Sequence, residues 1–323
     1  MQVDYTQNDP NSDPLSIYND PVRNFLKEKI KKIGHDVRDF SPVFDVIIRE
    51  AKKKIPKEIL SYPPEIVLAR IEEQALTIMH GILSQDNKIR GARERITSYG
   101  SVFLVGAGIS FESGIPLTRV LQDLLKFCRA SNYEELSKDK EKCLKFKREF
   151  GKICKKKEPS RSHQSIVINF PKYIKQIICL NWDNLIEKCG KSLSPPKNIN
   201  KINEDIPVST KNHIWKFHGD VDNIKEDNIK GMGGWVFPHE EGHVFKCFID
   251  YIKNSRLSTS LFTFVIAGYS EREKEIYDKI ISLFEKEPPR PTFRVGLDLT
   301  RLHNTQYIFG PSDYILPKIM PLP

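Results

Sequence analysis

Short runs of β-branched and aromatic residues recur through the last two thirds of the chain, and stripes of apolar residues at helical spacing separate them. The runs predict strands at 102–105, 174–180, 213–217, 261–267 and 292–295. The stripes predict helices at 183–189, 240–253 and 271–284. Strands that alternate with helices favour an α/β fold, and we expect a Rossmann-like, doubly wound parallel sheet.

The first third of the chain has a different pattern. Apolar residues repeat at helical spacing from Val22 to about Tyr99, and prolines separate the helices. The preceding segment, 1–18, is polar and is predicted to be a flexible arm. We therefore expect residues 1–99 to form a helical N-terminal extension and residues 100–323 to form the α/β domain.

A basic segment interrupts the α/β pattern and predicts a helical insertion at about 130–161. From Lys138 to Arg161, eleven Lys and Arg residues accompany four Asp and Glu residues, a net charge of +7, compared with +9 for the whole chain. This charge is compatible with binding of nucleic acid or of an acidic partner, but a solvated helix face is the simpler interpretation. Phe146 and Phe150 lie four residues apart, which favours the buried side of a helix over a base-stacking surface.

Composition narrows the class of protein. Hydrophobic residues make up 39% and charged residues 29% of the chain, as is typical of globular proteins. No apolar run reaches the roughly 18 residues of a membrane span, so we expect a cytoplasmic protein that does not enter a membrane. The six cysteines include no CxxC pair, which predicts reduced thiols and no tetrahedral zinc site built from cysteines.

The predicted strand 102–105 leads directly into a turn that contains two glycines. Gly106 and Gly108 permit a sharp turn and a close approach of the backbone to a ligand. A strand, a glycine turn and a helix in this order typically offer backbone amides to a diphosphate, so a nucleotide is the first ligand to consider. A GxG pair alone also fits an ordinary tight turn.

The longer pattern is more specific. Residues 102–119 read VFLVGAGISFESGIPLTR, and GAGIS followed by SGIP resembles the nucleotide-binding signature of the sirtuin family. Three later segments follow in that family's order: CLNWDNLIE at 179–187, KFHG at 216–219 and AGYS at 267–270. The resemblance implies NAD as the ligand and cleavage of the bond between nicotinamide and ribose as the reaction.

The resemblance also assigns catalytic roles. Asn181 would bind the ribose and orient the attacking oxygen, Asp183 would contact the ribose next to nicotinamide, and His218 would be the general base. These residue types suit the chemistry, since positive charge develops on the ribose as nicotinamide leaves and an imidazole can accept a proton near neutral pH. A lone histidine is often structural, but KFHG placed after NWD favours the catalytic interpretation.

Further residues are expected to bind the nucleotide. Ser110 would reach a phosphate or ribose oxygen, and Gly268 and Ser270 would hold the adenosine side, although Gly and Ser are also ordinary turn residues. The predicted binding residues are Gly106, Ala107, Gly108, Ser110, Gly114, Arg119, Gly268 and Ser270. His163 is similar to a histidine that follows a Pro-x-x-x pattern in sirtuins, and we interpret it as a helix-start residue that packs locally.

Two departures from the family pattern bear on the acceptor. Sirtuin deacylases have Asp-Phe-Arg after SGIP, whereas this chain has Leu117-Thr118-Arg119, and it lacks the two CxxC pairs of the zinc module. Val236-Phe237-Pro238 is followed by His239-Glu240-Glu241 in place of the family's Phe-Gly-Glu segment. The chain is therefore more similar to the zinc-independent NADases of bacterial anti-phage systems, which transfer the ADP-ribose unit to water.

The resemblance thus predicts an NAD glycohydrolase that forms nicotinamide and ADP-ribose and acts in antiviral defence by depleting NAD. It also implies a homo-oligomer or a partner protein in a defence complex, with NAD as a substrate and no zinc. Two alternatives stay open. One is an NAD-dependent protein deacylase, and the other is a non-catalytic module that binds NAD or ADP-ribose. Binding of nucleic acid through Lys138–Arg161 would be an addition to any of these.

Overall fold

A parallel sheet forms the centre of the protein. The computed structural model describes residues 14–35, 37–40, 43–111, 113–115, 118–202, 213–221, 242–255, 260–269, 278–280, 282, 291–296 and 305–320. The strands are β1 (Ser101–Val105), β2 (Ile174–Cys179), β3 (Asn200–Ile202), β4 (His213–Lys216), β5 (Thr263–Ala267), β6 (Thr292–Gly296) and β7 (Thr305–Phe309). They form a seven-stranded sheet in the order β3-β4-β2-β1-β5-β6-β7, and each pair of neighbours is parallel.

Helices cover the sheet and precede it. The first group is α1 (Asn19–Lys32), α2 (Val37–Phe40), α3 (Phe44–Lys53), α4 (Pro64–Leu83) and α5 (Asp86–Tyr99). The second group is α6 (Gly108–Phe111), α7 (Thr118–Phe127), α8 (Tyr133–Lys138), α9 (Lys140–Lys155), α10 (Arg161–Asn169), α11 (Leu185–Ser192), α12 (His243–Asn254) and α13 (Ser312–Ile319). Within the described part of the chain, no helix combines the length and apolar composition that crossing a bilayer requires.

Side chains alternate between the two faces of the sheet along each strand, and both faces are buried. Phe103 and Val105 of β1 belong to one apolar cluster, which also contains residues of α1, α3, α4, α5, α10 and α13. Val102 and Leu104 belong to the cluster on the other face, where α12 packs. The predicted α/β class with a doubly wound parallel sheet is confirmed, and the N-terminal helices share a core with one face of that sheet.

A side chain from the N-terminal region bonds to the end of the edge strand β7. Gln85 precedes α5, and its Nε2 donates to the Phe309 carbonyl at 2.6 Å. The Phe309 amide donates to Gln85 Oε1 at 2.7 Å. The carboxamide therefore bonds to both backbone groups of Phe309 as a further strand would, which blocks this end of the edge from pairing with another chain. The division at residues 99 and 100 stays a prediction.

Two strands were not expected from the sequence. One of them is β3, which pairs with β4 from Asn200 to Ile202. β3 is short and only Ile202 is buried, so it has no apolar run to identify it. β7 has one buried residue, Ile308, flanked by the half-buried Tyr307 and Phe309, so its apolar run is short. The first 13 residues and most of the predicted helix 271–284 lie outside the described residues.

Candidate functional site

The carboxyl ends of four neighbouring strands lie in register. Val105, the last residue of β1, pairs with Cys179 of β2 and with Ala267 of β5, and Cys179 pairs with Lys216 of β4. The chain enters the sheet at β1, moves to one side through β2, β3 and β4, and returns to the other side at β5. Ligands of such sheets bind at this switch point, outside the carboxyl ends of the strands. The predicted site segments therefore all begin at one edge.

The turns after β1 and β5 pack directly against each other. A Cβ on Gly108 would lie 2.6 Å from the Cα of Gly268, and one on Gly106 would lie 2.7 Å from the Gly268 carbonyl oxygen. The amides of Gly106, Gly108, Ile109 and Ser110 donate to carbonyls of the protein at 2.8–3.2 Å. The expectation that this turn offers unpaired amides is wrong for these four, and the glycines are required for the contact between the turns.

Ser110 and Asn181 meet behind the glycine turn. Both side chains are buried, and Asn181 Nδ2 donates to Ser110 Oγ at 2.9 Å. The other polar atom of the Asn181 side chain, Oδ1, is buried and has no hydrogen-bond partner among the described residues. A buried acceptor without a partner is costly in a folded protein. Asn181 therefore presents an acceptor that a ligand hydroxyl would satisfy.

His163 connects this pair to the start of α10. Its Nδ1 accepts the Ser160 amide at 3.1 Å, so the proton of the neutral ring is on Nε2, which lies 3.4 Å from Ser110 Oγ. Burial lowers the pKa of His163, against the opposing charges of Asp183 and Asp313. The predicted local packing at a helix start is confirmed by the capping box with Ser160. The contact with Ser110 was not predicted.

The hydroxyl of Ser110 can donate its hydrogen to a third group, because His163 and Asn181 both act as donors to its oxygen. Asn181 Nδ2 and His163 Nε2 both donate to Ser110 Oγ in this arrangement, and a hydroxyl oxygen has two acceptor positions and one hydrogen. The hydrogen of Ser110 is then available to a further acceptor, such as an oxygen of a ligand. The arrangement fits the predicted role of Ser110 at a phosphate or ribose.

Asp183 has a local structural contact. It is buried, and its Oδ1 accepts the Leu185 amide at 3.1 Å at the start of α11. A short acidic side chain at this place stabilises a helix N-terminus. Asp183 thus lies in the same turn as Asn181, and one of its two carboxylate oxygens already accepts a hydrogen bond from the backbone.

The insertion α8–α9 packs against the residue between these two. Trp182 makes edge-on ring contacts at 5.8–6.1 Å, and its three partners are Tyr133, Phe146 and Phe150. Phe146 and Phe150 are buried, as their spacing predicted. Several lysines on the outer side of the insertion pair with acidic neighbours, for example Lys152 with Glu149 at 2.7 Å.

His218 lies in a tight turn after β4 that is bonded to the Asn181 turn. The side chain is buried. The Val221 amide donates to the Trp182 carbonyl at 2.8 Å. Gly219 has φ +79°, a left-handed conformation that glycine adopts most readily, which explains the glycine after His218. The two turns that carry the predicted catalytic residues are therefore joined through their backbones.

A cluster of buried charges lies beneath these turns. Lys216 Nζ donates to the Asp183 carbonyl and lies 3.4 Å from Asp220 Oδ2 and 3.9 Å from Glu187 Oε1. Burial raises the pKa of Glu187 to about 7, while the charge of Lys216 lowers it. Burial lowers the pKa of Lys216, but the surrounding acidic groups outweigh it and hold that pKa well above its ordinary value.

The other predicted residues are less closely tied to this group. Gly114 is exposed with φ +76° and lies near the Lys157 side chain, and Ala107 is exposed in the glycine turn. Arg119 lies in α7, but its side chain is outside the described part, as is the whole of Ser270. Their predicted roles stay predictions.

The described residues contain no group of three His, Cys, Asp or Glu side chains that could hold a metal ion. All six cysteines are free thiols. Burial raises the pKa of Cys179, at the end of β2, to about 12, so this thiol is protonated at neutral pH and is a poor metal ligand. Zinc independence itself stays a prediction.

Comparison with known proteins identifies the fold. No protein-family model and no curated protein matches the chain. A Sir2 homologue in complex with NAD has a TM-score of 0.51 and 17% identity over 71% of this chain and 92% of its own. A Sir2 homologue variant in complex with ADP-ribose has a TM-score of 0.51 and 17% identity over 71% and 94%. The chain therefore has a sirtuin-like fold.

Proposed function

We propose that this protein is an NAD glycohydrolase that converts NAD and water to nicotinamide and ADP-ribose. The observation that carries the proposal is the buried Asn181 side chain, whose Nδ2 is used on Ser110 and whose Oδ1 has no partner among the described residues. Asn181 lies beyond the carboxyl end of β2, next to the carboxyl end of β4, which His218 follows. The likeness of the fold to a Sir2 homologue in complex with NAD supports the choice of ligand.

The chemistry uses these residues as follows. Asn181 Oδ1 accepts a hydrogen bond from a ribose hydroxyl, and the Ser110 hydroxyl donates to an oxygen of the same ligand. The bond between the ribose C1′ and the nicotinamide nitrogen breaks, and nicotinamide leaves with the electron pair. A water oxygen then bonds to C1′, and His218 accepts the proton that this water loses. Fixed dipoles and the Asp183 carboxylate stabilise the positive charge that develops on the ribose.

The nucleotide would lie across the two packed turns. Gly106, Ala107 and Gly108 would border it on the β1 side and Gly268 on the β5 side. Gly114, Arg119 and Ser270 are kept as further contacts on the sequence resemblance. Ring-edge and backbone contacts around Trp182 hold the Asn181 turn in place, as a preorganised site requires.

Water is the acceptor that we favour over an acyl-lysine peptide. The reasons are the sequence Leu117-Thr118-Arg119 in place of Asp-Phe-Arg and the absence of CxxC pairs from the chain. Depletion of NAD during phage infection, in an oligomer or a complex with a partner protein, is the biological role that this activity would serve in the cytoplasm.

The test is a product analysis on the purified full chain. NAD is supplied with and without an acetylated peptide, and nicotinamide, ADP-ribose and O-acetyl-ADP-ribose are separated by chromatography. We expect nicotinamide and free ADP-ribose in equal amounts, independent of peptide. O-acetyl-ADP-ribose would instead establish deacylation, and tight NAD binding by calorimetry without turnover would establish a binding module.

Variants assign the site. His218→Ala and Asn181→Ala should each lower kcat by about a hundredfold or more, since each removes a group that acts on the ribose. His213→Ala, at the opposite end of β4, and Asn169→Ala, a buried asparagine in α10, are the matched controls. Full activity in His218→Ala and Asn181→Ala would refute the site assignment.

A further inference from the structure

Lys216 is a charged residue inside the central sheet, two positions before His218. Its side chain is 1% exposed. A buried ammonium requires close partners to offset the loss of water. Its partners therefore show what this side chain holds together.

The contacts of Lys216 reach both turns of the candidate site. Nζ donates to the backbone carbonyl of Asp183, in the turn that also carries Asn181. The same atom lies 3.4 Å from Asp220 Oδ2, in the turn that carries His218. One ammonium group thus connects the segment after β2 to the segment after β4.

Neighbouring contacts make this connection rigid. Asp220 is fully buried, and its second oxygen accepts Lys201 Nζ of β3 at 2.7 Å. Lys216 and Asp220 lie two residues before and two residues after His218, so their ion pair closes the turn around it. The Val221 amide, next to Asp220, donates to the Trp182 carbonyl at 2.8 Å.

We propose that Lys216 is a positioning residue that fixes the His218 turn against the turn carrying Asn181 and Asp183. The inference rests on the proposed NAD cleavage, in which a general base and a ribose-binding amide act on one sugar. Misplacement of reacting groups by about 1 Å can lower a rate by about a hundredfold. Lys216 bonds to the backbone and carboxylates of the two turns, and so acts through the residues that they carry.

The experiment uses the variant Lys216→Met in the full chain, which removes the ammonium and keeps a long side chain. We expect kcat for NAD cleavage to fall about tenfold or more, while the Kd for NAD by calorimetry changes less than about threefold. Amide hydrogen exchange in residues 217–221 should accelerate about tenfold. Lys197→Met is the matched control, because Lys197 also donates to backbone carbonyls, those of Val167 and Phe170, away from the two turns.

A second variant separates positioning from charge balance. Lys216→Met leaves Glu187 without its nearest cation, so Lys216→Met/Glu187→Gln removes the cost of burying or protonating that carboxylate without a partner. We expect this double variant to recover thermal stability but not kcat. Recovery of kcat in it, or unchanged hydrogen exchange at 217–221 in Lys216→Met, overturns the inference. A wild-type protein that cleaves no NAD would refute the proposed function, and the exchange measurement would still decide the role of Lys216.

Discussion

Replacing Glu187 with glutamine should change how the stability of the protein depends on pH. Glu187 lies on α11 and is 5% exposed. Burial raises the pKa of its carboxyl from 4.5 to about 7, against the lowering effect of Lys216. Neither of its oxygens has a hydrogen-bond partner among the described residues, and Lys216 Nζ is 3.9 Å away. The folded protein therefore retains a proton on Glu187 over a pH range in which the unfolded chain has lost it.

The direction of the effect follows from proton linkage. Between pH 4.5 and about 7 the folded state binds one more proton at Glu187 than the unfolded state does, so the free energy of unfolding falls as the pH rises. The contribution of the protonated carboxyl is complete below pH 4.5 and is lost as the pH passes the folded pKa of about 7. At about 1.4 kcal/mol for each pKa unit, the total loss is on the order of 3 kcal/mol.

The assay is urea unfolding followed by circular dichroism at several pH values from about 5 to about 8. Groups outside the buried cluster affect the wild type and Glu187→Gln alike, so the difference between their free energies of unfolding reports the titration of Glu187 and of the groups coupled to it. That difference should change by on the order of 2–3 kcal/mol across this range, with Glu187→Gln becoming relatively more stable as the pH rises. Glu94→Gln is the control, because Glu94 is exposed on α5.

Two results would refute this reasoning. A difference between wild type and Glu187→Gln that stays constant within about 0.5 kcal/mol at all pH values would mean that Glu187 has an ordinary pKa in the folded protein. A pH-dependent difference of the same size in Glu94→Gln would mean that the effect does not originate in the buried cluster.

Three other substitutions test separate contacts. Trp182→Ala removes an indole that contacts three aromatic rings of the insertion. The free energy of unfolding in urea should fall by about 3–5 kcal/mol, with a smaller loss for Trp182→Phe. Equal losses in the two variants would contradict this prediction. Gly108→Ala places a Cβ 2.6 Å from the Gly268 Cα and should push the two turns apart. The variant should then bind NAD about tenfold more weakly or worse by calorimetry, and an unchanged affinity would show that the turns can adjust. Asp313→Asn weakens the acceptor of the Ser162 amide, which it bonds at 2.6 Å, and should cost about 1 kcal/mol in thermal unfolding; an unchanged Tm would contradict this.

The fold could be predicted because the interior strands carry a local signal. β1 and β5 are buried along their whole length, and each is a continuous run of apolar or β-branched residues after its first position. β7 has a weaker signal, since only Ile308 is buried and the run Tyr307-Ile308-Phe309 is short, and its Phe309 backbone bonds to Gln85, more than 200 residues earlier in the chain. Such an edge strand is defined by tertiary contacts, which periodicity does not contain.

The candidate site was predictable to the extent that it follows strand ends. Asn181 and His218 follow the predicted strands 174–180 and 213–217, parallel topology brings the ends of such strands together, and the register of β2 and β4 agrees. The contact of His163 with Ser110 joins residues 53 positions apart. The sequence does contain one local signal for His163, a capping box in which histidine replaces the usual Glu or Gln.

The buried charges had no such signal, although the same topology produces them. Lys216 is the last residue of β4, and Asp183 and Glu187 follow the end of β2. Because the ends of these two strands are in register, their charged side chains lie close together beneath the site. A lysine in a short apolar strand reads as a break in the pattern when the sequence is taken alone. In the folded chain its carbonyl and carboxylate partners come from two different turns, and these contacts offset the cost of burying an ammonium at a position where packing alone would favour an apolar residue.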